Sequence, residues 1–243
     1  MIWKVPCMWQ GGDVWIIGGG PSINEQFGIP KELAQKIKEG VEPLSKLSPY
    51  MSVIHDKHVI GINVAFMIGN WIDICFFGDN GFYLKYKNEL AKFPGLKVTC
   101  NQQPGRDGFV KCMARDVNHS KGISMEPGKV SWNFNSGCAA ISIAAQAGAK
   151  RIMLLGFDMK LSDEKDQHFH DVYKRGKATT ERRLQRLPFR RHMRGCEQIA
   201  RDAKRLGIEI VNLNPDSAIE HFRKVSLKEF LENECSQNAR RDR

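Results

Sequence analysis

Asp13-Val14-Trp15-Ile16-Ile17-Gly18-Gly19-Gly20-Pro21-Ser22 carries an apolar run straight into three glycines, a proline and a serine. A short apolar run stopped by glycine reads as a strand buried on both faces, the kind found inside parallel sheets. Glycines behind such a strand let backbone N–H groups approach a phosphate closely, and a helix starting next favours negative charge. The turn is not G-x-G-x-x-G, because Pro21-Ser22-Ile23-Asn24 follows, and it lacks the Gly-Lys-Ser/Thr of a Walker loop. Two readings stand: a tight strand-to-helix turn, or the cradle of a nucleotide-containing ligand built from Gly18, Gly19, Gly20, Pro21 and Ser22.

Outward from this stretch the pattern repeats. His58–Asn63, Ile72–Phe77, Leu96–Cys100, Arg151–Leu155 and Ile208–Asn212 read as further strands. Helical patterns cover residues 31–40, 82–92, 136–148 and 194–206, and Ser226 with Glu229 opens a last helix as a capping box. Residues 101–135 hold Pro104, Gly105, Gly108, Gly122, Pro127 and Gly128 and read as loops around short elements. Strands alternating with helices predict an α/β fold with a mostly parallel, Rossmann-like sheet and helices on both faces. The expected organisation is one domain over residues 1–243, with a basic insertion at about 159–195 and a frayed tail from about 234.

Composition fits that picture. The chain has 243 residues, 42% of them hydrophobic, enough to bury a sizeable core. No run of eighteen apolar residues occurs, so no membrane span is expected. Met1–Pro6 does not read as a signal peptide. The seven cysteines form no C-x-x-C pair, and their odd number suits reduced thiols in a cytoplasmic protein. The formal net charge is +10, and between Lys174 and Arg205 twelve Lys or Arg face only Glu181, Glu197 and Asp202. That stretch, with Arg182, Arg183, Arg190 and Arg191, reads either as a solvated face or as a surface for nucleic acid or another anionic partner.

Ligands of open parallel sheets bind beyond the carboxyl ends of the strands. Asn63 stands there and offers a donor and an acceptor to a base or ribose, or simply turns the chain. Gly78-Asp79-Asn80 and Gly156-Phe157-Asp158 occupy corresponding places. Ser136 and Gly137 open an alanine-rich helix, where Ser136 either caps the helix or meets a ligand. His168-Phe169-His170 puts two imidazoles on one side of an extended segment, suited to acid–base work near neutral pH or simply exposed in a loop. A metal site has weak candidates in Asp79 and Asp158 but lacks a clear third ligand.

In order along residues 13–222, these clusters resemble the bacterial lipooligosaccharide sialyltransferases. Gly18–Ser22 resembles their Gly-Asn-Gly-Pro-Ser turn, with Gly19 where they have asparagine, and Gly61-Ile62-Asn63 looks like their second-strand asparagine. Asn135-Ser136-Gly137 and Arg151–Asp158 are similar to their Ser-Gly helix and the strand behind it. His168 or His170 falls where a catalytic histidine follows, and Asn214-Pro215-Asp216-Ser217 resembles their nucleotide-holding Cys-Pro-Asn-Ser. Tyr173 is the only nearby match for their phosphate-binding tyrosines. The pattern also resembles archaeal-type hydroxymethylpterin pyrophosphokinases and, more nearly, a branch of phage proteins, which would put it in the host cytoplasm.

The resemblance implies a glycosyltransferase using a nucleotide-activated sugar, without a required metal. Gly18–Ser22 would hold the donor phosphate, and Asn63, Asp79, Ser136, Gly137, Asn214, Pro215 and Ser217 would complete the nucleotide site. His168 or His170 would be the general base, and the basic stretch would face an anionic acceptor. Two alternatives stay open: a pyrophosphokinase-like transferase needing Mg2+ at Asp79 or Asp158, and a non-catalytic nucleic-acid-binding protein.

Overall fold

The computed structural model describes residues 2–172, 184–185 and 187–241. Asp13–Ile17 forms β1, and residues 14–17 are fully buried or nearly so. Side chains alternate across a strand, so Trp15 and Ile17 enter one core while Val14 and Ile16 enter the other. Such a strand must lie inside a sheet covered on both faces. It pairs in parallel with β2 (His58–Ile62) on one side and β8 (Arg151–Leu155) on the other.

From β1 the chain first walks one way. It forms β2, β3 (Ile74–Phe77), β4 (Leu96–Thr99) and the short β5 (Val110–Cys112), each parallel to the last. A two-stranded pair, β6 (Ala114–Arg115) and β7 (Lys129–Val130), stands apart. The chain then returns to the far side of β1 as β8 and continues through β9 (Glu209–Asn212) to β10 (Arg223–Lys224). The eight-stranded order is β10-β9-β8-β1-β2-β3-β4-β5. Connections leave in opposite directions on the two sides of β1, which makes the β1/β8 boundary the switch point where such sheets open a crevice. Register brings the strand ends level there: Ile17 lies beside both Gly61 and Leu155.

One core packs the Trp15 face against α1 (Ile23–Gln26), α2 (Lys31–Lys38), a 3-10 segment Leu44–Ile54, α3 (Asn80–Lys92) and α7 (Leu227–Arg241). The other packs the Ile16 face against α4 (Ser136–Gln146) and α6 (Cys196–Leu206). Residues 137–145 of α4 are all buried, because its Gly, Cys, Ala and Ser side chains let it lie close over the strands. A four-residue α5 (Phe189–His192) precedes α6.

Several expectations shift by a few residues. The edge strands β5 and β10 are too short to show in a hydrophobic pattern. The helix expected over 194–206 begins at Cys196. The last helix runs to Arg241, and Arg151 grips its Glu234 with both arms of its guanidinium at 2.7 Å. Its start is as expected, with the Glu229 N–H donating to Ser226 Oγ at 3.2 Å. All seven cysteines are free thiols. Among the described residues, no helix is long and apolar enough to cross a membrane.

Candidate active site

A cleft of about 860 Å3 opens at the switch point, over the carboxyl ends of β1, β2, β3 and β8. Gly18–Gly20, Asn63, Asp79, Ser136–Gly137, Asp158, His168 and His170 all line it. The structure thus gathers residues that lie up to about 150 positions apart in the sequence.

The glycine turn itself is closed on the protein's own atoms. The N–H groups of Gly18 and Gly20 donate to the carbonyls of Leu155 and Gly156 at 2.8 and 2.9 Å. Ser22 donates through its N–H to Asp158 Oδ1 at 3.1 Å and through its hydroxyl to Oδ2 at 3.0 Å. The anion at this turn in the structure is the Asp158 carboxylate, which occupies both Ser22 donors. Gly20 is glycine for the same reason: a Cβ there would stand 1.6 Å from Asp158 Oδ2 and 2.6 Å from the Gly156 carbonyl oxygen. A Cβ on Gly18 would come within 2.8 Å of that same oxygen, whereas one on Gly19 would meet only His168, at 3.0 Å. Pro21 and Ser22 face a second groove behind the turn, lined also by α2.

Asp158 is buried, and burial pushes its carboxyl up, against the pull of the two Ser22 bonds. Asn214 Nδ2 donates to Oδ1 at 3.1 Å, and the Ser217 hydroxyl donates to the Phe157 carbonyl at 2.6 Å. Asn214 and Ser217 are buried and do not line this cleft; Asn214 lines the second groove behind the turn, and neither Pro215 nor Ser217 lines either one. Asp79, the other weak metal candidate, caps α3 by accepting the Gly81 N–H at 2.7 Å.

The start of α4 is different. Its cap is Asn135, whose Oδ1 accepts the N–H of Gly137 at 2.8 Å, so Ser136 is the first helical residue and not the cap. The Ser136 N–H and hydroxyl have no partner among the described residues and stand at the positive end of an eleven-residue helix lining the cleft. Asn133 and Phe134, just ahead, both hold left-handed backbone, φ 51 and 57, a strained pair for residues with side chains. Buried Asn133 sustains it by accepting the Gly122 N–H at 2.7 Å and donating to the Gly122 carbonyl at 2.9 Å. That kink sets Phe134 on the cleft wall beside Trp132, whose ring carries the Arg115 guanidinium at 4.1 Å. Sequence reading passed over Trp132 and Phe134, because nothing local announces the positive φ at Asn133 and Phe134.

The histidines stack, ring centroids 5.4 Å apart and 5° from parallel. His168 Nδ1 lies 3.2 Å from the Gly19 carbonyl oxygen, an acceptor only, so Nδ1 carries the proton and the neutral ring has its lone pair at Nε2. His170 Nδ1 instead accepts the Val172 N–H at 3.3 Å, which leaves the neutral ring's proton on Nε2. In their neutral forms the two rings keep the proton on opposite nitrogens. Asn63, with φ 53, sits between strand end and cleft, and its Oδ1 is buried without a partner among the described residues.

Lys85, Lys160 and Arg191 also line the cleft, and none forms a salt bridge with a described residue. Arg191 and Arg190 belong to α5 and are exposed, and Arg194 lies over the Phe134 ring at 5.8 Å. Tyr173, Arg182 and Arg183 lie outside the described residues.

No family model and no curated protein matches the chain. Solved structures do. A glycosyltransferase, MAf from Magnetospirillum magneticum AMB-1, superposes with a TM-score of 0.56 at 12% identity, over 93% of this chain and 35% of that one. This chain therefore spans about a third of MAf and shares its fold. The sialyltransferase CstII from Campylobacter jejuni, solved with cytidine-5'-monophosphate, gives a TM-score of 0.48 at 15% identity, covering 88% of this chain and 84% of the other. Its complex with CMP-3FNeuAc gives 0.48 at 14%.

Proposed function

We propose that this protein is a glycosyltransferase-like enzyme that moves a sugar from a nucleotide-activated donor to a hydroxyl of an anionic acceptor. The observation that carries the reading is the His168 ring, held by the Gly19 carbonyl so that its basic nitrogen is Nε2, in the same cleft as the open start of α4. The donor's anionic group takes the Ser136 N–H and hydroxyl, with Lys160 and Arg191 adding positive charge, since Ser22 gives both its donors to Asp158 and the Gly18 and Gly20 N–H groups go to backbone carbonyls. Asn63 faces the base, ribose or sugar, and Trp132 and Phe134 give an apolar wall for a ring.

In the reaction, the acceptor oxygen attacks the anomeric carbon of the donor sugar. A new C–O bond forms, the bond to the donor phosphate oxygen breaks, and its electron pair leaves with the nucleotide. The acceptor proton passes to His168 Nε2, a buried atom that the bound acceptor must uncover. His170, stacked on that ring with its own proton at Nε2, donates a hydrogen bond and no proton. Exposed Arg191 on the cleft lining, with exposed Arg190 next to it in the chain, suits an acceptor that carries negative charge, nucleic acid among them.

The test is a thermal-shift panel of nucleotides and nucleotide sugars, followed by turnover with those that bind. A ligand at 100 times its Kd stabilises the protein by about 2.7 kcal/mol. His168→Ala is expected to lower kcat by roughly 10²–10⁴-fold and leave donor Kd within about twofold. A panel with no stabilising nucleotide, or His168→Ala and His170→Ala variants that both turn over normally, would overturn the reading.

A further inference from the structure

The histidine pair sits on a segment that has neither helix nor strand after β8, up to Val172. Clips from three separate elements fix it. The Gly19 carbonyl, at the β1 turn, accepts from His168 Nδ1 and from the Phe169 N–H at 3.1 Å. On α3, Lys85 Nζ donates to the Val172 carbonyl at 2.9 Å. Before the histidines, Ser162 and Asp166 close a small loop: the Ser162 N–H donates to the Asp166 carbonyl at 3.0 Å, and the Asp166 N–H donates to Ser162 Oγ at 3.1 Å. The last residue of α2, Lys38, reaches this loop with Nζ 2.5 Å from Asp166 Oδ2 and 3.6 Å from Glu164 Oε2.

We infer that Lys38 is a positioning residue for His168: through Asp166, two residues ahead, it anchors the loop that aims the imidazole into the cleft. The pair is well sheltered, with side-chain exposures of 18% for Lys38 and 12% for Asp166, so salt screens it less than the surface pairs of this protein. Without it, the segment between Asp158 and Gly19's bonds is a stretch of irregular chain with one ring to aim. Holding a reacting group in place is a large part of catalysis, and a displacement of about 1 Å can cost 10²-fold. The inference rests on His168 being the base, but the clip has a readout of its own.

Lys38→Met and Asp166→Asn are compared with Lys38→Arg, which keeps the charge, and with the swap Lys38→Asp/Asp166→Lys. Two measurements need no substrate: the 15N shifts of the His168 ring, which report the proton on Nδ1, and amide exchange of Phe169. In the neutral variants we expect the Nδ1–H signature to weaken and Phe169 exchange to quicken about tenfold. With substrate, kcat falls about tenfold or more while donor KM stays within about twofold, and Lys38→Arg and the swap restore both readouts in part. If the neutral variants do not fold, Lys38→Arg alone carries the test, by a smaller change in the same direction. Unchanged His168 shifts and Phe169 exchange in the folded Lys38→Met variant would overturn the inference. A clear change in both, in a protein that turns over no nucleotide sugar, would leave the clip standing and remove the enzymatic reading instead.

Discussion

Two chain turns meet at the same crevice with the same equipment. The Gly18–Ser22 turn and the start of α4 each present backbone N–H groups beside a serine hydroxyl at a helix N-terminus. At the first, Ser22 gives both its donors to the buried Asp158 carboxylate, and the Gly20 N–H is taken by the Gly156 carbonyl. At the second, Asn135 covers Gly137 and leaves Ser136 facing the cleft. One turn is a joint between β1 and β8; the other is open to a ligand. A phosphate-binding appearance is thus a property of backbone geometry, and the occupant is decided by whichever anion lies nearest, here one supplied 136 residues away.

The largest effect that could break this comparison is at Asp158. Asp158→Ala strands Asn214 Nδ2 in a buried place and the Ser22 N–H and hydroxyl in a half-buried one, an unsatisfied buried group costing about 1–3 kcal/mol and a half-buried one less. A loss of roughly 3 kcal/mol or more in urea unfolding is expected. Asp158→Asn keeps an oxygen at Oδ1 for two of the three donors and an NH2 that donates to Ser22 Oγ, so it should cost far less. The two variants also carry a pH signature. Burial raises the Asp158 carboxyl above its unfolded value, so its stability contribution is full below the unfolded value near 3.9 and is lost as pH rises through the folded one. Asp158→Asn lacks this loss, and its stability relative to wild type should improve as pH climbs from about 4. A relative stability flat with pH, or an Asn variant as damaged as Ala, would show that the turn is not held this way.

Within the turn, a smaller contrast sharpens the point. Gly20→Ala forces a Cβ onto Asp158 and should cost about 1–3 kcal/mol by overpacking. Gly19→Ala meets only the edge of His168, so it should cost less than about 1 kcal/mol in stability and show itself in turnover through the displaced imidazole. Equal unfolding midpoints for the two variants would erase the difference between the closed and open sides of the turn.

How much of this was legible beforehand follows the range of the interactions. The central strands β1, β2, β3 and β8 announce themselves, because burial on both faces writes an apolar run. The stacked histidines follow from i, i+2 spacing on an extended segment. Asp158 as the acceptor for Ser22 is a contact across the sheet with no local mark in the sequence. The bonds of Asn214 to Asp158 and of Ser217 to the Phe157 carbonyl are equally long-range and equally unmarked. Asn135 and Ser136 are both good caps, and only the observed φ of −154 at Asn135 decides between them.

Amide shifts measured while a stabilising nucleotide sugar is added to 15N-labelled protein test the central claim most directly. The account predicts that the Ser136 amide moves strongly and saturably, while the Ser22 amide, held by Asp158, stays close to its free position. Shifts at Gly20 and Ser22 with Ser136 silent would contradict it, and would return the phosphate to the glycine turn.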